Sequence, residues 1–190
     1  MATDPYDVPA IPPTLGAVVE EGRGSLPFAL IHGEALVACA AWSVGDAGIT
    51  LVDHGTSWEA LVDSGEPLVL HDALCPMTPA SFLADCVRTS EERSVVVVGV
   101  RPVTDTVKQA EGGYVGATID RDGLVVVTSP IVLPAEVVAA LEGLPSDDFA
   151  ALAGELAARF PVVTLEAPPE GRRVASLDDV RLLEALTRRS

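Results

Sequence analysis

The chain is poor in aromatic residues and in cations, and each shortage excludes a class of protein. Aromatic residues make up 4% of the 190 residues while all hydrophobic residues make up 48%, so the core must consist mainly of Val, Leu and Ala. Only 12 Lys and Arg stand against 28 Asp and Glu, which gives a formal net charge of −16. A chain of this charge without a basic stripe repels nucleic acid, and we expect no nucleic-acid partner.

Cysteine and long apolar runs are also scarce. Cys39, Cys75 and Cys86 are odd in number and lack C-x-x-C spacing, which indicates neither a disulfide framework nor a zinc site. No apolar run approaches the length of a membrane helix, and residues 1–13 lack the basic and apolar regions of a signal peptide. We therefore expect no membrane partner, a reducing cytoplasmic location, and a flexible tail over 1–13 before a single domain over 14–190.

Strand and helix patterns alternate along the chain, which predicts an α/β fold with a mainly parallel sheet flanked by helices. The run Val95–Val98, within a predicted strand over 94–100, indicates burial on both faces. Residues 114–119 and 124–128 predict a hairpin around Asp122-Gly123. The remaining predicted strands cover 15–20, 48–53, 67–70 and 162–166, and the predicted helices cover 34–44, 57–63, 78–88, 134–141, 146–159 and 177–188, with N-caps at Ser57, Thr78 and Ser146.

Polar loops follow two of the predicted strands. His71–Pro76 follows one apolar strand and Val103–Lys108 follows the valine-rich one. The carboxyl edge of an open α/β sheet is where ligands bind, so these loops predict one shared pocket. A third loop, Glu20–Ser25, contains Gly22 and Gly24; its amides could cradle a phosphate, or the loop could be a plain turn.

These loops carry a family resemblance. The chain resembles the 2-C-methyl-D-erythritol 4-phosphate cytidylyltransferases, which write HDAARP where this chain has HDALCP and PVTDTIK where it has PVTDTVK. Their T-x-D-R-x-x-L arm is matched by Thr118, Asp120, Arg121 and Leu124, and their K-x-T-x-P-E-D-L element falls at Arg173–Val180. The resemblance covers residue 66 to the C-terminus and implies a three-layer, Rossmann-like nucleotidyltransferase fold. It also implies a projecting β-hairpin arm at about 110–130 that forms a homodimer.

The resemblance implies roles for single residues. Arg23 would replace a family arginine of the first loop, and Arg173 stands where the family has a lysine near the reacting phosphate, which makes these two the candidate catalytic residues. Asp72 matches an aspartate that holds Mg²⁺ or the ribose of the nucleotide, although an aspartate after a strand often caps a turn. The remaining candidates are Gly22 and Gly24 for the nucleotide, and Thr106, Lys108, Arg121 and Ser129 for a phosphorylated polyol, with Arg121 reaching across the dimer.

The chain also departs from the family pattern. Its first loop is shortened, and Phe28 replaces the lysine that contacts the phosphates. Cys75 replaces a substrate-binding arginine, and residues 53–57 lack one glycine and the arginine of the family element that reads cytosine. Phosphoryl-transfer chemistry depends on positioned cations. We therefore expect a degenerate homologue with weak or no activity. The alternative is an active enzyme that transfers CMP from CTP to methylerythritol phosphate or a related polyol with Mg²⁺.

Overall fold

The computed structural model of the chain describes residues 11–53, 55–104, 108–111, 114–118, 120–121 and 123–188. The tail expected over residues 1–13 lies mostly outside this part. The strands are β1 (Leu15–Val19), β2 (Leu30–Ile31), β3 (Glu34–Ala35), β4 (Thr50–Leu51), β5 (Leu68–Asp72), β6 (Val96–Pro102), β7 (Lys108–Glu111), β8 (Tyr114–Thr118), β9 (Val125–Leu133) and β10 (Val162–Glu166). The α-helices are α1 (Leu36–Asp46), α2 (Trp58–Ser64), α3 (Ala80–Arg93), α4 (Ala135–Ala140), α5 (Phe149–Ala157) and α6 (Leu177–Thr187).

Six strands form the main sheet in the order β10-β6-β9-β5-β1-β4. All its pairings are parallel except those of β9, which runs antiparallel to both β5 and β6. The predicted α/β class with a mainly parallel sheet is therefore confirmed. The valines of β6 lie inside the sheet between β10 and β9 and are fully buried at Val96 and Val97, as the unbroken apolar run predicted.

Helices cover both faces of this sheet, which gives three layers. On one face Leu68 and Leu70 of β5 join a cluster with α2, α4 and α5. On the other face Val69 joins a cluster with α1 and α3. Because successive strand side chains point to opposite faces, an all-apolar strand supplies both clusters at once. No α-helix in the described part of the chain is long and apolar enough to cross a membrane.

The predicted helix caps are correct at one of three positions. The Ser57 hydroxyl accepts a hydrogen bond from Ala60 N–H at 3.2 Å and caps α2 as expected. Thr78 does not cap α3, because it is buried and its hydroxyl donates to the Cys75 carbonyl at 2.9 Å. The cap of α5 is Asp148 rather than Ser146, since the Asp148 carboxylate accepts from Ala151 N–H at 2.8 Å.

The predicted hairpin pairing is wrong. β8 pairs antiparallel with the preceding β7 in a separate two-stranded sheet, with Glu111 opposite Tyr114. The second predicted strand instead opens β9, whose Val125 to Val127 pair with β6. Alternating apolar residues and a turn signal identify strands, but they do not determine which strands pair. Here β9 pairs with β6, which has a longer apolar edge than β8. The projecting dimerisation arm is not confirmed, and its predicted turn residue Asp122 lies outside the described residues.

One glycine controls how closely β9 approaches β6. A Cβ on Gly99 would lie 2.5 Å from the Ser129 carbonyl oxygen, so no larger residue fits there without moving a backbone. The register between the two strands shifts between Val98 and Val100 at this point. The close approach holds the middle of β9, and Ser129 with it, beside the carboxyl end of β5.

Candidate functional site

The candidate site lies where β1 and β5 end side by side. The two strands are parallel neighbours, and Val19 at the end of β1 pairs with Asp72 at the end of β5. The Glu20–Ser25 loop and the His71–Pro76 loop therefore leave the same edge of the sheet. Gly22 and Gly24 adopt positive φ angles of 74° and 61°, which glycine tolerates, and the tight turn that results carries Arg23.

Arg23 points from this loop onto Asp72. Its Nε lies 3.1 Å from Asp72 Oδ1 and its Nη2 lies 3.3 Å from Oδ2, a bidentate arrangement. The same guanidinium donates to the carbonyl oxygens of Glu21 and, at 2.9 Å, Asp147, and it lies 5.5 Å from the centre of the Phe149 ring. The side chain is 5% exposed. Arg23 thus ties the first loop to the end of β5 and the start of α5.

Arg173 reaches the same carboxylate from the segment before α6. Its Nε lies 3.0 Å from Asp72 Oδ2, and its side chain is 35% exposed. Residues 101 positions apart in the sequence therefore meet at one carboxylate. The two candidate catalytic cations and the candidate metal ligand form one cluster, Arg23–Asp72–Arg173.

The Asp72 carboxylate is saturated by protein donors. Leu74 N–H donates to Oδ1 at 2.9 Å, in addition to the two arginines. Burial alone would raise the pKa of Asp72, but the hydrogen bonds from Arg23, Leu74 N–H and Arg173 outweigh it and hold the pKa below its ordinary value. A carboxylate with both oxygens occupied by guanidinium groups does not fit a Mg²⁺ ligand, and among the described residues no group of three His, Cys, Asp or Glu could hold a metal ion.

Ser129 and His71 lie directly beneath this cluster and are fully buried. Asp72 N–H donates to Ser129 Oγ at 3.0 Å, and Ser129 Oγ lies 2.6 Å from His71 Nδ1. Burial lowers the pKa of His71 to about 4, against a smaller opposing effect of the Asp72 charge, so the ring is neutral near pH 7. The His71 Nε2 is also buried and has no hydrogen-bond partner among the described residues. Ser129 braces Asp72 and has no exposed surface for a substrate.

The remaining predicted substrate residues do not gather at this cluster. Arg121 donates to the Thr104 carbonyl and lines a cavity of about 480 Å³, whereas Arg173 lines a different cavity of about 270 Å³. Thr106 lies outside the described residues, and Lys108 begins β7 with only its backbone described. That Arg121 reaches a phosphorylated polyol across a dimer stays a prediction.

Phe28 and Cys75, which distinguish the chain from the family pattern, lie in opposite environments. Phe28 ends a short 3-10 helix at Leu26–Phe28 and is 61% exposed, so its ring supports no core. Cys75 is fully buried, and burial raises the pKa of its thiol well above the ordinary value, with the Asp72 charge adding to the effect. Cys75 is therefore a packed residue and not a nucleophile.

Sequence reasoning missed how these residues are used. It assigned Arg23 and Arg173 to catalysis and Asp72 to Mg²⁺ or the nucleotide, whereas in the structure both arginines contact the Asp72 carboxylate. It also passed over His71, whose position at the end of an apolar strand was the available signal of burial. Arg101 and Arg172, which line the cavity beside Arg173, carried no motif.

The fold and the site define a class: a three-layer α/β protein whose polar loops gather at the carboxyl edge of its sheet. Comparison with known proteins identifies the family within this class. The family profile of 2-C-methyl-D-erythritol 4-phosphate cytidylyltransferase matches residues 47–151, more than half of the chain. The chain belongs to this family.

Individual relatives agree with this assignment. The cytidylyltransferase of Saccharopolyspora erythraea is 33% identical over 133 residues, which cover 67% of this chain and 58% of the relative. That of Frankia casuarinae is 32% identical over 134 residues, 68% of this chain and 50% of the relative. These alignments thus span little more than half the length of the curated relatives. The crystal structure of the Thermus thermophilus enzyme superposes with a TM-score of 0.67 at 21% identity over 90% of this chain and 96% of that one, which shows a shared fold.

Proposed function

We propose that this chain is a homologue of the isoprenoid-pathway cytidylyltransferases with weak or no nucleotidyl transfer, which keeps the fold for binding or regulation. One observation carries the proposal: Arg23 and Asp72 neutralise each other in a buried pair, so neither is available for a triphosphate or its metal. Transfer of a nucleotidyl group needs cations aimed at the phosphates. Of the two arginines that contact Asp72, only Arg173 is partly exposed.

The alternative is an active enzyme that transfers CMP from CTP to methylerythritol phosphate. Arg173 favours it, because its side chain is 35% exposed and keeps a positive charge at the carboxyl edge of the sheet. A nucleotide that displaced Arg23 from Asp72 would free a second cation. The cost of exposing that buried pair opposes this arrangement.

Calorimetry with CTP, Mg²⁺ and methylerythritol phosphate, each alone and combined, separates the two functions. We expect no CTP binding in the low micromolar range and no pyrophosphate release, because an exposed ring stands at the lysine position and the nearby arginine is paired. Low-micromolar CTP affinity, or turnover with methylerythritol phosphate, would establish the active enzyme instead.

A gain-of-function variant makes this test sharper. Phe28→Lys costs little stability, because the ring is 61% exposed, and it restores a cation for the phosphates. We expect CTP affinity to rise about tenfold, a gain of about 1.4 kcal/mol. Leu182→Lys on α6, where the leucine is 56% exposed, adds the same charge elsewhere and should leave CTP binding unchanged. Equal gains in both variants would mean that net charge, and not the loop, limits binding.

We further propose that β7 and β8 contribute to a homodimer. They form a two-stranded sheet apart from the main one, and isolated two-stranded hairpins are marginally stable in water. Tyr114 on β8 is 82% exposed, which leaves a large ring for a partner chain to cover.

Sedimentation equilibrium at micromolar concentration should therefore give the mass of a dimer. Tyr114→Arg should raise the dimer dissociation constant at least about tenfold, or 1.4 kcal/mol, whereas Trp42→Arg on α1, where the indole is 55% exposed, should not. A monomeric mass for the unmodified chain contradicts the proposal, and so does equal weakening by both variants.

A further inference from the structure

A groove of about 460 Å³ runs along α1 and shares no lining residue with the Arg23–Asp72–Arg173 cluster. The segment 76–80, which leads into α3, forms one wall, and the turn between β2 and β3 lies at the N-terminal end of α1. The volume falls within the roughly 300–1,000 Å³ typical of small-molecule sites. The other wall of this α1 groove is a single face of the helix, with residues three or four apart: Cys39, Trp42, Ser43 and Asp46.

Trp42 lines the α1 groove with a largely exposed ring. Its indole is 55% exposed and takes no part in the three buried clusters of the described core. The chain has two tryptophans, and the other one, Trp58, packs against the core and donates to the Leu141 carbonyl at 2.8 Å. Of all aromatic side chains, an indole attracts a cation most strongly through its face. Trp42 therefore offers the groove a cation-binding surface that the fold does not use.

A carboxylate stands at each end of the α1 groove. Glu34 lies two residues before α1, and Asp46 is the last residue of the helix. Between its first residue and Asp46 the helix rises about 15 Å. Both side chains are exposed, and neither carboxylate has an ion pair or a side-chain hydrogen bond within the described part of the chain. The two charges are thus available at opposite ends of one groove.

His32 is the one basic side chain among the described residues that line the groove, and α6 already holds it. Its Nε2 lies 2.7 Å from Thr187 Oγ1, its backbone N–H donates to Glu184 Oε1 at 2.8 Å, and its Nδ1 lies 4.0 Å from the same carboxylate. Glu184 therefore offsets a charge on the ring. Burial raises the pKa of the Cys39 thiol, and the charge of Glu34 adds to the effect, so the field of this carboxylate reaches into the groove. The groove keeps an excess of negative charge, which suits a cation.

We propose that the α1 groove binds a linear polyamine extended along the helix. One terminal ammonium group pairs with Glu34, and the other pairs with Asp46 and lies over the face of Trp42, one helical turn away. The methylenes between them pack against the apolar wall formed by Pro76 and Met77. Glu34, Trp42 and Asp46 lie outside the motifs of the family resemblance, and the proposal does not depend on nucleotidyl transfer.

Calorimetry on the full chain at low ionic strength and pH 7.5 tests this, with spermine, dodecanediamine and putrescine as separate probes. The two diamines carry the same charge, but only dodecanediamine is long enough to reach both carboxylates. We expect spermine and dodecanediamine to bind at least about tenfold more tightly than putrescine, because their second ion pair forms within the complex. Spermine should bind more weakly as salt is raised. No heat with spermine, or equal affinities for the two diamines, would overturn the proposal.

A charge-neutralising variant and a matched control locate the binding. Asp46→Asn should lower the affinity for spermine about threefold, as expected for one exposed ion pair. Asp63→Asn removes an exposed carboxylate from the last turn of α2, outside the groove, and should change the affinity little. A carboxylate near a helix C-terminus does not stabilise the helix, so both variants should keep the thermal midpoint. Equal losses of affinity would mean that spermine responds only to the net charge of −16, against a specific groove.

Trp42→Leu tests the aromatic contact. Leucine keeps an apolar, helix-forming side chain, and the thermal midpoint should change little because the indole is 55% exposed. The affinity for spermine should fall about fivefold. Spermine should also shift the tryptophan emission of the unmodified chain and leave that of the variant, which comes from Trp58, unchanged. An unchanged affinity, or an emission shift that persists in the variant, would place spermine elsewhere and overturn the proposal.

Discussion

Replacing Arg23 with alanine should lower the free energy of unfolding by about 3–5 kcal/mol, the range measured when one partner of a buried ion pair is removed. The change leaves Asp72, which is 1% exposed, with Arg173 and Leu74 N–H only. It also removes the cation above Phe149 and the donor to the Asp147 carbonyl. Urea unfolding at pH 7.5 measures the loss.

Arg173→Ala is the matched control. It removes the same charge from the same carboxylate, but this side chain is 35% exposed, so we expect a cost of about 1 kcal/mol or less. A chain that tolerates Arg23→Ala as well as it tolerates Arg173→Ala would show that the buried pair does not support the fold. Arg23 would then be free to serve a ligand, and the active-enzyme alternative would gain.

The second large effect is a loss of stability in mild acid that originates at His71. The ordinary pKa of 6.5 applies to the unfolded chain, whereas burial lowers it to about 4 in the folded protein. As the pH falls below about 6.5, His71 binds a proton in the unfolded state but not in the folded state. Stability therefore declines between about pH 6.5 and pH 4, by about 3 kcal/mol in all.

The decline can be assigned to His71 with two measurements. Above pH 5 the contribution of Asp72 is constant, because its depressed pKa matters only as the pH falls through the unfolded value of 3.8 and below. His71→Gln, which keeps a polar group beside Ser129, should flatten the pH dependence of urea unfolding between pH 7.5 and pH 5. If that variant does not fold, an NMR titration of the His71 ring in the unmodified chain should give a pKa below 5; a value near 6.5 would refute the assignment.

Much of the fold was predictable from local patterns. The all-apolar run Val95–Val98 identified a strand buried on both faces, the run Pro67–Leu70 identified a second strand, and alternation with helical segments identified the α/β class. Ser57 was recognisable as a cap because its hydroxyl precedes a helical segment and bonds within it. These features depend on neighbours within a few residues, so the sequence carries them directly.

Strand pairing was not predictable in the same way. The segment after Leu124 reads as the second half of a hairpin, yet it inserts as β9 between β5 and β6. Its apolar positions fit either arrangement, and the choice depends on which neighbours bury it. Burial of Ile131, Val132 and Leu133 on both faces of the sheet decided the outcome.

The sequence by itself determined the fold class, the family motifs and the acidic surface, because composition, periodicity and motif spacing are local properties. Only the tertiary structure decided the use of the charged residues. The parallel ends of β1 and β5 bring Arg23 and Asp72 together in a buried pair, because an unpaired charge is costly there. Arg173, from the segment before α6, reaches the same carboxylate from a partly exposed position. Arg101 and Arg172 line one cavity with Thr128, and none of the described residues that line it is acidic. This placement decides which arginines are paired inside the protein and which could contact a ligand. The sequence motifs do not contain that information.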